Sequence, residues 1–232
     1  MQETEVSLPR GWFTPGSHEE FWPPGGTYGL IPFDCLPELD GEWQEGQFAW
    51  LPVPPSDEEP LKFEQFEGDV GETLRSLERD AEAFGVQVPE TFVSFMSTPA
   101  IHTRIQTSTA CYLSLSRRLI EVDRYPGARL LRFMNDQQCV LLWYLYLQPG
   151  KPPSVVLADP LWHDEASGYT LDDIITPTKL TICADSFEEF IYRFWIENAI
   201  WFALYENRPL TETQEAYRQA AASWRPPEAD TL

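Results

Sequence analysis

Basic residues are scarce in this chain: 16 Lys and Arg stand against 37 Asp and Glu, for a formal net charge of −21. A nucleic-acid site needs clustered Lys and Arg to displace counterions from the phosphate backbone, so nucleic acid is not an expected partner. Cysteine is scarce as well. Cys35, Cys111, Cys139 and Cys183 are far apart and form no C-x-x-C pair, which leaves no paired-cysteine zinc spacing. Three of the four fall in apolar strand-like stretches, where a free thiol behaves as a small hydrophobe. His18, His102 and His163 are scattered, and no metal site is expected from them. A phosphate-binding glycine loop, a G-x-S-x-G elbow and an H-E-x-x-H helix are all missing. The expectation is a chain with no catalytic residues and no cofactor. No apolar run reaches the roughly 20 residues that a helix needs to span a bilayer, and no signal-peptide pattern opens the chain. A reducing cytoplasm is the expected location.

Hydrophobic residues make up 43% of the sequence and aromatics 14%, enough for a core. The stretch that organises it is Gln138 to Leu147, Gln-Cys-Val-Leu-Leu-Trp-Tyr-Leu-Tyr-Leu. Alternate side chains of a strand point to opposite faces. One face would carry Cys139, Leu141, Trp143, Leu145 and Leu147, and the other Val140, Leu142, Tyr144 and Tyr146. Both are apolar, the pattern of a strand covered on both sides. Asn135-Asp136-Gln137 before the run and Gln148-Pro149-Gly150 after it are turn signals.

Around that strand the periodicity predicts further elements. Val70, Leu74, Leu77, Ala81 and Phe84 share one face of a helix, which Gly85 is placed to stop. Pro89 is expected at the first position of a short second helix carrying Phe92, Phe95 and Met96. From Ala100 the period changes to two. Strands are expected at Cys111–Leu115, around Leu119–Val122, at Arg129–Met134, Ser154–Ala158 and Lys179–Ala184. Ser186 and Glu189 read as a capping box for a helix whose Phe187, Phe190, Ile191, Phe194, Trp195, Trp201, Phe202 and Tyr205 form a wide stripe for one face of the sheet. Asn207 and Pro209 stop it. A last helix, with Tyr217, Ala220, Ala221 and Trp224 on one face, begins at Thr211–Gln214. The fold class is α+β: an antiparallel-rich central sheet of about five or six strands with helices packed against it. The second face of the sheet has no equally clear cover. It falls to the helices from Val70 to Met96 or to the N-terminal segment, and if neither covers it, that face is the binding surface.

Residues 1–60 differ from the rest. They hold 12 acids against one base, Arg10, with 10 of the 21 prolines and 7 of the 13 glycines. Trp12, Phe13, Phe21, Trp22, Trp43, Phe48 and Trp50 are too many large apolar groups for a simple disordered tail. Two readings stand: an irregular extension (1–60) packed on an α+β domain (61–232) through a linker near Pro52–Pro60, or an arm that docks on a partner. The acidity would steer a basic partner towards the chain; acidity also serves solubility alone.

One cluster invites a functional reading: Asp159-Pro160-Leu161-Trp162-His163-Asp164-Glu165. Carboxylates beside a histidine can do acid–base work or hold a hard cation, but no nucleophile lies nearby. The alternatives are a solvated acidic loop and a partner-binding loop, with Trp162 as anchor and Asp159, Asp164 and Glu165 around it.

The order of elements resembles the SUKH superfamily. The likeness rests on Phe84-Gly85-Val86-Gln87-Val88-Pro89-Glu90-Thr91-Phe92, similar to that family's "G-hydrophobic-x-L-P-x-x-hydrophobic" helix pair, and on the strand-rich middle. Val155-Val156-Leu157 leading to Trp162-His163-Asp164-Glu165 is loosely similar to a strand and aromatic-Asp-His-Glu stretch of some members. Ala184-Asp185-Ser186-Phe187-Glu188-Glu189-Phe190-Ile191 is similar to the closing "A-x-S-F-x-E-F-hydrophobic" helix. The likeness covers residues 69 to 207 and no functional residue is carried over from it. It implies an α+β fold without shared catalytic residues, whose usual work is to bind another protein, often a secreted bacterial toxin. An acidic member would suit a basic, nuclease-type toxin. The expectation is therefore a cytoplasmic protein-binding domain, an immunity protein in the leading reading. A regulatory or scaffolding subunit docking through its N-terminal segment is the second, and a hydrolase using the Asp159–Glu165 loop the third.

Overall fold

A computed structural model of the chain describes residues 8–14, 16, 18–21, 29–39, 41–44, 48–54, 59–63, 68–122, 125–158 and 180–224. In chain order the elements are β1 (Gly11–Phe13), β2 (Leu30–Pro32), α1 (Val70–Phe84), α2 (Glu90–Met96), α3 (Pro99–His102), β3 (Tyr112–Leu113) and β4 (Ile120–Glu121). There follow β5 (Arg129–Asn135), β6 (Leu142–Leu147), β7 (Ser154–Ala158), β8 (Leu180–Ala184), α4 (Phe187–Tyr205) and α5 (Glu212–Ser223). Strands β3 to β8 form a six-stranded antiparallel sheet in the order β3-β5-β6-β7-β8, with β4 continuing along the same edge of β5 as β3. The fold is α+β, as the periodicities predict.

The central strand is shorter than its apolar run. It begins at Leu142, and residues 138 to 141 belong to the turn from β5. Buried Asp136 causes this: its carboxylate accepts from the Gln138 N–H at 3.0 Å and from the Leu141 N–H at 2.6 Å. Cys139 takes a left-handed φ of 55° in that turn. The alternation is broken there, so Cys139, expected beside Trp143, packs instead with the cluster of Tyr144. From Leu141 onward the expected faces hold.

One face of the sheet, with Leu131, Phe133, Trp143, Leu145, Val155 and Leu157, packs against α1, α2 and the first half of α4 in one cluster. A bulge between Arg132 and Met134 lets the consecutive Phe133 and Met134 both reach that core. Phe187 is its hub, with ring centroids 5.0 Å from Phe92 and 5.3 Å from both Phe95 and Phe133. The helices from Val70 to Met96 thus share a face with α4 and do not cover the other one. That second face, with Leu130, Leu142, Tyr144, Val156, Ala158 and Leu180, is fully buried. It is not an open binding surface.

Helix ends follow local chemistry. Asp69 caps α1 by accepting from the Glu72 N–H, and Gly85, at φ 81°, closes it. Pro89 sits outside α2 with ψ of 135°, one residue earlier than predicted. Pro99 opens the short α3, which the change of period after Ala100 conceals. Ser186 accepts from the Glu189 N–H at 3.1 Å, but the Glu189 carboxylate returns to the N–H of Asp185 rather than to that of Ser186. A strict capping box is found at Thr211 and Gln214. Asn207, at φ 54°, ends α4, and the Arg208 N–H reaches back to the Ala203 carbonyl.

The N-terminal segment, together with residues 61–63 that follow it, is woven into the body. Trp12, Phe48, Leu51 and Leu61 are buried in the main core. The segment also meets both edges of the sheet. The Ile182 N–H of β8 donates to the Pro9 carbonyl at 2.8 Å, and the Leu113 N–H of β3 to the Lys62 carbonyl at 2.8 Å. Unpaired strand edges invite pairing with other chains, and these contacts occupy both. Of the expected linker, residues 55–58 lie outside the described residues.

Candidate partner-binding groove

Asp159, Trp162, Asp164 and Glu165, the binding residues expected from sequence, lie outside the described residues, as does His163. Of the remaining histidines, His102 is buried, and its Nε2 donates to the Phe95 carbonyl at 2.7 Å. Burial holds its pKa down at about 4, so it is a neutral core group. The Cys111 thiol is pushed up to about 12 by burial, and burial pushes that of Cys183 further still. Neither is a thiolate at neutral pH. Among the described residues no three His, Cys, Asp or Glu side chains converge to hold a metal ion, and no helix is long and apolar enough to cross a membrane.

The site that does take shape forms on the far side of α4. Its stripe was expected to serve the sheet alone, yet the helix is buried almost all round. Tyr192, Ile196 and Ile200 face away from the sheet and pack with Phe21 and Ile31 of the N-terminal segment and with Tyr217, Ala221 and Trp224 at α5. Trp201 and Tyr205, expected on the stripe, instead stack on each other at 5.1 Å, with Tyr205 66% exposed.

Between the two packed sides of α4 runs a buried polar network. Glu197 accepts from the Trp12 indole N–H at 2.9 Å and from the Tyr217 hydroxyl at 2.8 Å. Arg193 donates to the Tyr217 oxygen at 3.0 Å and to the Pro37 carbonyl at 3.2 Å, and lies 3.9 Å from Glu189. Asn198 accepts from the Ser108 N–H at 2.7 Å and donates to the Phe194 carbonyl. Burial and then the Glu197 carboxylate hold the Tyr217 hydroxyl protonated well above its ordinary range. Burial opposes the Arg193 charge, but the carboxylates and Tyr217 outweigh it and raise its pKa. The neutral Tyr217 phenol therefore bridges the Arg193 guanidinium and the Glu197 side chain.

Arg193 thereby fixes Pro37 on one side and Tyr217 on the other, and these two are opposite walls of a groove of about 560 Å³. Tyr192 and Ile196 floor it. Leu39 continues the first wall, and Thr213, Ala216 and Ala220 the second. Ala216 and Ala220 are exposed, and their methyl groups leave the space open. Glu38 and Glu212 also line it, and its described residues include no base. By contrast, a groove of about 550 Å³ between the end of α1 and the β6–β7 turn carries Lys151 as well as Glu82.

Charge around the first groove is one-sided. In the described parts of residues 8–54 and 187–224 the only bases are Arg10, Arg193, Arg208 and Arg218. Each has a carboxylate partner: Asp185, Glu189, Glu206 and Glu215 respectively. Hydrogen bonds from Arg218 and Gln219 hold the Glu215 carboxyl down at about 2. The remaining carboxylates leave this end of the molecule acidic.

The groove was not legible beforehand because its lining comes from three segments that meet only in the fold. One signal was present: Arg193, Glu197 and Asn198 interrupt an otherwise apolar helix, and charged groups inside such a stripe must find partners.

The class these features define is an α+β domain with a negatively charged, groove-bearing face. Comparison with family models, with curated proteins and with solved structures finds no match for the chain.

Proposed function

We propose that this chain is a non-catalytic, cytoplasmic protein-binding domain of SUKH type whose partner is a basic protein, an immunity protein neutralising a nuclease-type toxin. The observation that carries the reading is the charge of −21 together with a face on which Arg10, Arg193, Arg208 and Arg218 are each paired with a carboxylate. Such a face repels phosphate and attracts a cationic surface from a distance, and it would occupy the patch with which a nuclease meets its substrate. The resemblance of residues 84–92 and 184–191 to the SUKH helices supports the same reading.

The test is co-purification with a basic effector domain and rescue of cells from its toxicity. Sub-micromolar binding that weakens as salt rises is the expected result; failure to bind any basic effector at that level rejects it. The rival reading, a regulatory subunit docking through its N-terminal segment, is disfavoured by the burial of Trp12, Phe21, Phe48 and Leu51 in the chain's own cores. Deleting residues 1–60 cannot separate the two readings, because the deletion would remove core.

A further inference from the structure

We propose that the groove between Pro37–Leu39 and α5 is a docking slot for a basic amphipathic helix of a partner protein. The proposal rests on the reading of a basic partner and adds where and how that partner is gripped. Three observations carry it.

The first is shape. The α5 wall runs from Glu212 through Thr213 and Ala216 to Ala220, two turns of helix or about 12 Å at 1.5 Å per residue. A trough of that length suits apolar anchors on successive turns of a second helix, the i, i+4, i+7 pattern of helix-in-groove recognition.

The second is chemistry. The walls offer Leu39 and the two alanines to apolar anchors above the nearly fully buried Tyr192 and Ile196, and among the described lining residues the charged groups are Glu38 and Glu212. An apolar helix flanked by Lys or Arg matches both; an acidic or purely polar segment matches neither.

The third is preorganisation. The walls are held apart by one buried guanidinium, because Arg193 binds the Pro37 carbonyl and the Tyr217 hydroxyl together. A slot fixed before binding spares the partner the cost of ordering it.

The test uses the full chain and two synthetic helical peptides of equal positive charge. One carries Leu at i, i+4 and i+7 among Lys and Ala; the other has Ser in place of each Leu. Binding is read by fluorescence anisotropy at low and high salt. The Leu peptide is expected to bind at least about tenfold tighter than the Ser peptide, a difference of 1.4 kcal/mol. Ala216→Trp, which fills the trough from an exposed helical site, should remove that advantage and leave the Ser peptide unchanged. Ala216→Gln serves the same purpose should the Trp variant misfold, with circular dichroism as the check. Glu38→Lys with Glu212→Lys should weaken both peptides. Equal binding of the two peptides, or a Leu advantage that survives filling of the trough, overturns the slot while leaving an acidic protein-binding surface intact. A Leu advantage abolished by Tyr205→Ser and not by filling the trough moves the contact to the exposed Trp201–Tyr205 pair and also overturns it. If neither peptide binds even at low salt, the slot falls together with the basic-partner reading.

Discussion

The two sides of α4 are built from different materials. Towards the sheet, Phe187 and Phe190 meet rings from α2, β5 and the N-terminal segment in edge and tilted contacts, and Phe194 stacks on Phe190. Apart from these rings, Arg193 and Glu197 are buried beside Tyr217, and Asn198 bonds Ser108, so that each has a specific partner from a segment remote in sequence. The first side supplies stability in proportion to area removed from water. The second contributes less net energy, because desolvating charges offsets most of their attraction, but it accepts only one arrangement of Trp12, Pro37 and Tyr217. Stability and specificity are thus divided between different side chains of one helix.

That division can be broken first on the apolar side. Phe187→Ala should cost about 4 kcal/mol, since a large ring leaves a cavity among its neighbours; urea denaturation measures it, and a loss under about 2 kcal/mol would mean the core can collapse around the gap. On the polar side, Glu197→Leu should cost about 3 kcal/mol by leaving the Trp12 N–H and the Tyr217 hydroxyl without their buried acceptor and the Arg193 charge with Glu189 as its carboxylate, while adding Arg193→Met should return part of that loss. A double-mutant cycle decides: simple additivity would show that the two groups are independent.

The third prediction tests how dry the apolar side is. His102 stays neutral in the fold down to about pH 4, whereas in the unfolded chain it takes a proton near its ordinary 6.5. Stability present above pH 6.5 is therefore lost as the pH falls from 6.5 to about 4, by about 3 kcal/mol at 1.4 kcal/mol per unit. His102→Gln should flatten that slope in pH-dependent denaturation, and an unchanged slope would place the titration elsewhere. The smallest effect is at the start of α4, where Ser186→Ala should cost about 1 kcal/mol by releasing the Glu189 N–H; no change in melting temperature would show that Glu189 alone holds the turn.

The same contrast explains what the sequence revealed. Apolar periodicity reports which residues must leave water, so α1, α2, β5 to β8, α4 and α5 and the antiparallel sheet were all readable. It does not report partners. The stripe of α4 looked one-sided because Tyr192, Ile196 and Ile200 gain their cover from Phe21, Ile31 and Trp224, whose positions no local pattern fixes. Cys139 lies on the other face from the one its alternation predicts because the Leu141 N–H donates to the Asp136 carboxylate and reshapes the turn, a competition between local polar groups and strand that periodicity cannot see. The groove was hidden for a related reason: Ala216 and Ala220 define it by being small where a larger residue would have filled it.

The two sheet edges closed by Pro9 and Lys62 also set an order of events. During synthesis Pro9 emerges well before β8, the strand that receives it. It must therefore wait for the intervening residues, and Trp12 cannot meet Glu197 until α4 exists. Contacts of such long separation slow folding and leave strand edges open to neighbouring chains while they form. Residues 9 to 12 thus complete their contacts only after β8 and α4 have been made, and crowding before that stage is where misassembly would begin.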